Sequence, residues 1–231
     1  MTRLLGPLVA LFVILGGVAP LAPAEAGQAP SREQWIKDVN QAVKGSGAYI
    51  RERTATGDPM LAINFDIDNS SIATYYDGKG LPNPIPRILK LANLAKSKGV
   101  ALVFNTGRLG KIYKRTMTQL TDAGYDVAML CMRTKGETLP HSKQRCRDSF
   151  IAAGFTLIAN IGNNPTDFVG DGYEKAYKLP NYGGELGCPV RVISPGRRAP
   201  GSAPPGDRCP RPVRSSARTR RSPRRTSRRT R

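Results

Sequence analysis

The chain has 231 residues and a formal net charge of +19, with 36 Lys and Arg against 17 Asp and Glu. This length allows one ordinary domain with extensions and excludes an array of several domains. Much of the charge is at one end, since residues 197–231 hold 13 Arg and a single acid, Asp207. The rest of the chain is only moderately basic, so the overall charge does not by itself indicate a nucleic-acid-binding domain.

Residues 1–26 have the organisation of a secretory signal peptide. Arg3 supplies a positive start, roughly residues 4–18 are apolar, and the triplet Ala-Glu-Ala at 24–26 has small residues at both ends. The apolar run is too short to span a bilayer comfortably. We therefore expect cleavage after Ala26 and a secreted protein, extracellular or in the cell envelope, with no transmembrane segment after processing. The alternative is an uncleaved membrane anchor.

Residues 27–196 alternate between helical and strand patterns and are expected to form one domain. Apolar spacing, capping residues and terminal glycines predict helices over residues 31–46, 83–99, 110–124 and 142–154, the last with Ser142 as its N-cap. Apolar runs predict strands over residues 60–65, 100–105, 126–130 and 155–161, and residues 174–179 indicate a fifth, shorter strand. Apolar strands separated by helices predict an α/β, Rossmann-like fold with a parallel five-stranded sheet and helices on both faces.

Polar residues follow three of the predicted strands. Asp66 and Asp68 come after the first, the run Asn-Thr-Gly-Arg at 105–108 ends the second, and Asn163 and Asp167 follow the fourth. In open parallel sheets the functional site lies at the carboxyl ends of the strands. We therefore expect these segments to converge on one edge of the sheet.

Two neighbouring carboxylates are tolerable when a cation lies nearby, and Mg²⁺ takes oxygen ligands. Asp66, with Asn163 or Asp167, therefore indicates a Mg²⁺ site, and Mg²⁺ in turn indicates a phosphoryl group as a further ligand. Lys143 opens the helix before the fourth strand and would neutralise phosphate oxygens. One aspartate can then attack phosphorus while the other, Asp68, moves protons.

The segments DIDNS and NTGR, the helix-borne Lys143 and the segment IGNNPTDF resemble, in this order, the four motifs of the haloacid dehalogenase (HAD) superfamily. More narrowly, residues 143–170 resemble the secreted acid phosphatases of that superfamily, and the resemblance covers about residues 31–185. It implies a HAD fold of class III, without a large cap domain. It also implies Mg²⁺-dependent hydrolysis of a small phosphomonoester through an aspartyl-phosphate intermediate.

The resemblance also implies a role for each matching residue. Asp66 would be the nucleophile, Asp68 the general acid and base, and Lys143 the cation that stabilises nucleophile and phosphate. Phosphoryl binding would involve Thr106, Gly107, Arg108 and Lys143. The metal ligands would be Asp66, Asp68 through its backbone carbonyl, Asn163 and Asp167.

Asn163 stands where the family usually has an acid. An amide oxygen ligates Mg²⁺ without contributing charge, so metal affinity should fall, and activity would be either lowered or lost. Two functions therefore stay open. One is an exported Mg²⁺-dependent phosphomonoester hydrolase, and the other is a catalytically weakened HAD-like protein that binds anions, polyphosphate or nucleic acid.

The tail at residues 197–231 has no aromatic residue and little to bury, so it is expected to be disordered. It would contact polyanions through counterion release, without base stacking and hence unspecifically. The alternatives are a merely solvated tail and a reading-frame artefact, because its residue types have GC-rich codons.

Four cysteines, at 131, 146, 188 and 209, lack metal-binding spacing. In an exported protein they predict a disulfide, with Cys131 paired to Cys146 or to Cys188.

Overall fold

The computed structural model describes residues 29–187, and within them a five-stranded sheet forms the centre of the fold. The strands are β1 (Leu61–Phe65), β2 (Ala101–Leu109), β3 (Met129–Arg133), β4 (Thr156–Gly162) and β5 (Lys175–Lys178). All neighbouring pairs are parallel, and the spatial order is β3-β2-β1-β4-β5. The five-stranded parallel sheet predicted from the sequence is thus confirmed. The expected signal peptide, the end of the expected domain at 188–196 and the basic tail lie outside the described residues.

Six α-helices accompany the sheet in the described part of the chain: α1 (Arg32–Ala42), α2 (Ser46–Thr54), α3 (Thr74–Asp77), α4 (Pro86–Ser97), α5 (Tyr113–Asp122) and α6 (Leu139–Ala152). Short 3₁₀ turns cover Gly110–Ile112, Pro165–Phe168 and Tyr182–Gly187. Between residues 29 and 187 no helix has the length and apolar character needed to cross a membrane. Only the one-turn α3 and loop residues separate Asp68 from α4, so no large cap domain is inserted there.

Helix α6 starts earlier than the sequence indicated. Its N-cap position is Thr138 and Pro140 lies in the first turn, whereas Ser142 is buried inside the helix. The prediction of Ser142 as N-cap is therefore wrong. Proline fits the first turn of a helix, where its missing N–H would have no intrahelical partner. As a result Lys143 lies in the second turn rather than at the helix start.

Other elements also differ from the prediction, among them β2, which continues to Leu109 instead of ending at residue 105. Strand β3 begins three residues later than the predicted start at residue 126, because its pairing with β2 starts at Met129 opposite Val103. Asp126 instead lies at the surface, where its carboxylate pairs with Lys96 at 2.8 Å. Helix α2 was not predicted, since its sequence SGAYIRERT has little apolar periodicity.

The alternation of side chains along β1 shows that helices cover both faces of the sheet. Leu61, Ile63 and Phe65 belong to the main core cluster, which includes residues of α1, α2 and α4. Ala62 points the other way, into a smaller cluster with Cys146 and other residues of α6, β2 and β4. Every residue of β1 is buried, which explains why its sequence is an uninterrupted apolar run apart from one asparagine.

The chain order places the functional edge of the sheet. From β1 the chain moves outward to β2 and β3, then returns to the other side of β1 to form β4 and β5. The reversal lies between β1 and β4, whose neighbouring carboxyl ends leave a crevice. Asp66 directly follows β1, and Asn163 directly follows β4.

A disulfide joins Cys131 of β3 to Cys146 of α6, with the two Cα atoms 5.5 Å apart. This is one of the two pairings predicted for Cys131. The other two cysteines lie outside the described residues. The bond fixes α6 to the sheet one helical turn from Lys143.

Replacing both bonded cysteines, as Cys131→Ala/Cys146→Ala, is expected to lower the free energy of unfolding by about 3 kcal/mol. A crosslink across 15 residues restricts the unfolded chain by roughly that amount. Urea denaturation of the variant and the wild type, both without reductant, measures the difference. An unchanged unfolding midpoint would show that this bond does not stabilise the folded protein.

Candidate active site

Asp66 lies at the point where β1 ends and the crevice begins. Its backbone N–H donates to the carbonyl of Ile161 at 2.8 Å, which continues the pairing of β1 with β4. Its carboxylate accepts from the Lys143 ammonium at 2.6 Å on Oδ1 and from the Ser70 hydroxyl at 2.8 Å on Oδ2. Asp66 is only 8% exposed. The carboxylate is therefore held in a single orientation at the floor of the crevice.

Lys143 connects three segments of the chain beneath this floor. Its side chain is buried, and its ammonium donates to the carbonyl of Asn105 at 2.6 Å as well as to Asp66. Oδ1 of Asp167 lies 2.7 Å away in an ion pair without hydrogen-bond geometry. The Asn105 side chain donates in return to the Lys143 carbonyl at 2.8 Å. This reciprocal pair fixes α6 against the end of β2.

Burial and charge shift the pKa values of this cluster in a consistent way. Burial, together with the negative charge of Asp167, raises the pKa of Asp66 to about 6, although Lys143 opposes the shift. Burial disfavours the ammonium of Lys143, but Asp167 and Asp66 outweigh that effect and hold its pKa above the usual value. Near neutral pH Lys143 is therefore an ammonium beside an Asp66 side chain that is mostly a carboxylate.

The loop after Asp66 is rigid because its side chains hydrogen-bond to its own backbone and to neighbouring segments. The Ser71 hydroxyl donates to the Asp66 carbonyl at 2.7 Å. Asn69 adopts a left-handed conformation with φ of 57°, accepts from the N–H of Tyr75 at 2.7 Å and donates to the carbonyl of Leu186 at 2.8 Å. These contacts hold the carboxylates of the loop in place.

Asp68 faces a cation from the neighbouring strand. Both of its carboxylate oxygens accept from the guanidinium of Arg108, each at 2.8 Å. The same guanidinium donates to Gln119 of α5 at 2.7 Å. Asp68 and Arg108 thus form a two-pronged ion pair at the side of the crevice.

Thr106 and Gly107 take different positions at the end of β2. Thr106 is buried, and its hydroxyl accepts from the backbone N–H of Arg108 at 3.2 Å, so it does not line the crevice in this structure. Gly107 does line it. A Cβ at Gly107 would lie 2.6 Å from the Leu139 side chain, which shows how closely α6 approaches this turn.

The segment after β4 brings an amide and a carboxylate to the same place. Oδ1 of Asn163 is 3.3 Å from the Ser70 hydroxyl, which also donates to Asp66. Oδ2 of Asp167 accepts from the N–H of Asn164 at 2.8 Å, as part of a capping box on the following 3₁₀ turn. The Asp167 carboxylate occupies the space that a Cβ at Gly162 would need. Both oxygens of Asp167 are therefore engaged within the protein.

Arg147 positions the segment after β4, and sequence reasoning missed it. It is fully buried on α6, one turn after Lys143, and its guanidinium donates to the carbonyl of Asp167 at 2.9 Å and to that of Asp171 at 2.8 Å. It also donates to the carbonyl of Val169. The sequence did contain a signal for Arg147. It lies four residues after Lys143, and residues at this spacing share a helix face, so its side chain lies on the same side of the helix as Lys143.

The crevice is a cleft of about 840 Å³, within the range of small-molecule sites. The residues singled out from the sequence line it with the exception of Thr106, namely Asp66, Asp68, Gly107, Arg108, Lys143, Asn163 and Asp167. The three strand-end segments thus meet at one edge of the sheet, as expected, and Lys143 of α6 joins them there.

The oxygen atoms at the cleft floor suit a hard divalent cation. Asp66 and Asn163 each place an oxygen beside the same Ser70 hydroxyl, at 2.8 and 3.3 Å, so both oxygens face one small region of the cleft floor. Carboxylate and amide oxygens are ligands that Mg²⁺ accepts. Between residues 29 and 187, however, no group of three or more His, Cys, Asp or Glu side chains is arranged to hold a metal. The donor set fits a cation site with little negative charge of its own.

Comparison with known proteins identifies the class of protein. The sequence profile of the family described as HAD superfamily, subfamily IIIB (Acid phosphatase), matches residues 74–185. The matched segment begins just after the loop with Asp66 and Asp68 and includes Arg108, Lys143 and Asp167. It confirms the resemblance inferred from the sequence: over these residues the chain is similar to the HAD acid phosphatases, and the match supports a phosphatase.

Comparison with solved structures finds two matches. The class C acid phosphatase from Bacillus anthracis with tungstate bound is 17% identical, has a TM-score of 0.51, and is matched over 65% of this chain and 79% of its own. A second structure of the class C acid phosphatase from Bacillus anthracis is 18% identical over the same shares, with a TM-score of 0.49. The first supports the α/β fold. No curated protein matches the chain.

Proposed function

We propose that this protein is an exported, Mg²⁺-dependent phosphomonoester hydrolase that acts through an aspartyl-phosphate on Asp66. The observation that carries the proposal is the position of the Asp66 carboxylate. It lies at the floor of an open cleft, at the carboxyl end of β1, and is ion-paired at 2.6 Å to a buried ammonium. A fixed carboxylate beside a fixed cation is suited to attack a dianionic phosphoryl group, whose charge would otherwise repel it.

The reaction would proceed in two displacements at phosphorus. A carboxylate oxygen of Asp66 forms a bond to phosphorus, and the bond from phosphorus to the alcohol oxygen breaks. Asp68 gives that oxygen a proton, and the alcohol leaves. Asp68 then takes a proton from water, whose oxygen attacks phosphorus, and inorganic phosphate leaves as the Asp66 carboxylate is restored.

This division of work requires Asp68 to leave its ion pair with Arg108 for part of the cycle. A phosphoryl group entering the cleft offers the Arg108 guanidinium an alternative set of anionic oxygens. Lys143 stays beneath Asp66 throughout, because its other partners are parts of the folded protein. Its ammonium offsets the negative charge gathered at the reacting phosphorus.

Asp66, Asn163 and the backbone carbonyl of Asp68 would hold Mg²⁺ in this site. When bound, the ion supplies positive charge that offsets the phosphoryl oxygens. Asp167 supports the site indirectly, since both of its oxygens are engaged by Lys143 and by the N–H of Asn164.

Two features support export. Residues 1–26 have the pattern of a signal peptide. The bond between Cys131 and Cys146 is of the kind that persists in oxidising compartments outside the cytosol.

Metal removal tests the proposal directly. The purified chain should hydrolyse 4-nitrophenyl phosphate with Mg²⁺, and EDTA should lower kcat/KM by roughly 10²-fold or more, reversibly, because the lost cation would have stabilised the transition state by several kcal/mol. Equal rates with and without EDTA would contradict the metal dependence.

A second candidate is a catalytically weakened binder of anions, and the uncharged Asn163 favours it. In that case the Mg²⁺-loaded protein would show no turnover while retaining affinity for polyphosphate. The same assay, combined with equilibrium binding of polyphosphate, separates the two candidates.

A further inference from the structure

We propose that the cleft holds a second anionic group of its substrate, through Lys79 and Arg115. The inference rests on the proposed function and narrows its substrate class to phosphomonoesters that carry a further carboxylate or phosphate. Lys79 lies after α3 and Arg115 in α5, and both line the same cleft as Asp66.

The acidic residues of the cleft wall all lie in ion pairs. Four acidic residues line the cleft, and each already has a cation of the protein within 2.6 to 2.8 Å. The pairs are Asp66 and Asp167 with Lys143, Asp68 with Arg108, and Asp77 with Arg32. Because Asp66 and Asp167 share one ammonium, these four acids face three cations and carry one negative charge in excess.

Lys79 and Arg115 are the remaining charged residues of the cleft wall, and in residues 29–187 neither forms an ion pair. Asp77, two residues before Lys79, is held from both oxygens by Arg32 at 2.7 and 2.9 Å. Two cations of like sign on one wall raise the local positive potential and attract an anion. With Lys79 and Arg115 included, five cations face four acids at the cleft, which leaves one net positive charge before any substrate binds.

The backbone around Gly80 lies against the guanidinium of Arg115, one residue from Lys79. Gly80 has a φ of 94°, and a Cβ there would lie 2.5 Å from Nη2 of Arg115. The guanidinium therefore lies against the backbone next to Lys79. Gln119 of α5 donates to the carbonyl of Leu81 at 2.7 Å, which ties the same helix to the same segment. Glycine leaves room for this approach, which a side chain would obstruct.

The size of the cleft agrees with a substrate that reaches both places. Its volume of about 840 Å³ is large for a phosphoryl group alone and is in the range that encloses a small organic molecule. A leaving group bearing an anion would extend from the phosphorus at Asp66 to the pair of Lys79 and Arg115. Charge complementarity at a second point would orient the ester for attack.

Matched substrates test the inference. We would measure kcat/KM for 3-carboxyphenyl phosphate against 3-carbamoylphenyl phosphate, which differ in one charge, and for 1,3-phenylene bisphosphate against phenyl phosphate. At low ionic strength at least one anionic compound is expected to be favoured about tenfold over its neutral counterpart, and the preference should fall with added salt. Preference for only one compound supports the inference and identifies that group as the anion. No preference in either pair overturns it.

The variants then assign the preference to residues. In Lys79→Met/Arg115→Met the ratio of anionic to neutral substrate should fall to near one, whatever the absolute rates. Lys114→Met removes a neighbouring exposed cation that does not line the cleft, and it should retain the wild-type ratio. A ratio unchanged in the double variant, or lost equally in Lys114→Met, would contradict the assignment.

Failure of the proposed function gives a different result. If none of the four compounds is hydrolysed, the phosphatase proposal fails, and calorimetric binding of the carboxyl and carbamoyl compounds to the Asp66→Asn protein decides the remaining point. Binding of the carboxyl compound about tenfold more tightly would support the anion site, and equal affinities would overturn it.

Discussion

Replacing Asp66 by Asn is expected to abolish phosphomonoester hydrolysis, with kcat reduced on the order of 10⁴-fold or more. Asn has nearly the shape of Asp and fits the same space beside Ser70, but its amide does not attack phosphorus to form an acyl phosphate. The measurement is steady-state hydrolysis of 4-nitrophenyl phosphate with saturating Mg²⁺. Purification by a second column removes any contaminating phosphatase before the comparison.

The matched control is Asp122→Asn, which removes the same charge at an exposed position of α5 outside the cleft. It should retain wild-type kcat and KM. Near-normal turnover by Asp66→Asn, with the control also active, would show that the nucleophile has been assigned to the wrong residue.

Replacing Lys143 by Met is expected to destabilise the fold by about 3–5 kcal/mol at neutral pH. The ammonium contacts carboxylates of Asp66 and Asp167 at 2.6 and 2.7 Å, and without it both would be buried near each other uncompensated. Removing one partner of a buried ion pair typically has a cost of this size. Activity should also be lost, because the ammonium beside Asp66 that offsets the negative charge of the phosphoryl group would be missing.

The loss of stability in Lys143→Met should depend on pH. In the wild type the pKa of Asp66 is already raised to about 6 by burial, above its value of 3.8 in the unfolded chain. The folded state therefore binds more protons than the unfolded state between these values, and this contribution to stability is lost as pH rises through 6. Without Lys143 the pKa of Asp66 rises further, so the deficit should shrink as the pH falls from 7.5 toward 5.

Urea denaturation at pH 7.5 and pH 5 measures this effect, with Lys135→Met as the control for loss of an exposed ammonium. The control should change the free energy of unfolding by less than about 0.5 kcal/mol. If Lys143→Met also unfolds within 1 kcal/mol of the wild type at pH 7.5, the buried ammonium is not what holds the two carboxylates together.

The sheet and the main site residues were predictable because two kinds of signal coincide. The central strands are buried on both faces, so their sequences are mostly apolar, and the polar residues that follow such a run mark the strand end, although Asn64 and Asn160 lie within β1 and β4. This rule places Asp66 after β1 and Asn163 after β4. Lys143 is placed by the predicted helix that precedes β4. The parallel order then brings distant segments to one edge.

Side-chain partners were less predictable, since they depend on distances across the fold. The pairing of Asp68 with Arg108 joins residues 40 positions apart, and neither motif by itself specifies it. The orientation of the Thr106 hydroxyl toward the N–H of Arg108 is a local choice among rotamers. In the sequence Arg147 resembles a surface residue of an amphipathic helix. Only the fold shows that carbonyl groups 20 to 24 residues later surround it.

Chemical trapping of the phosphorylated enzyme is the most direct test of the central claim, that Asp66 receives the phosphoryl group. The wild type would be mixed with excess substrate, quenched in acid and reduced with borohydride, which converts an aspartyl phosphate to homoserine. Peptide mass spectrometry should find homoserine at position 66 and none in Asp66→Asn. Modification at Asp68 or another carboxylate, or steady turnover with no modified residue at all, would contradict the account.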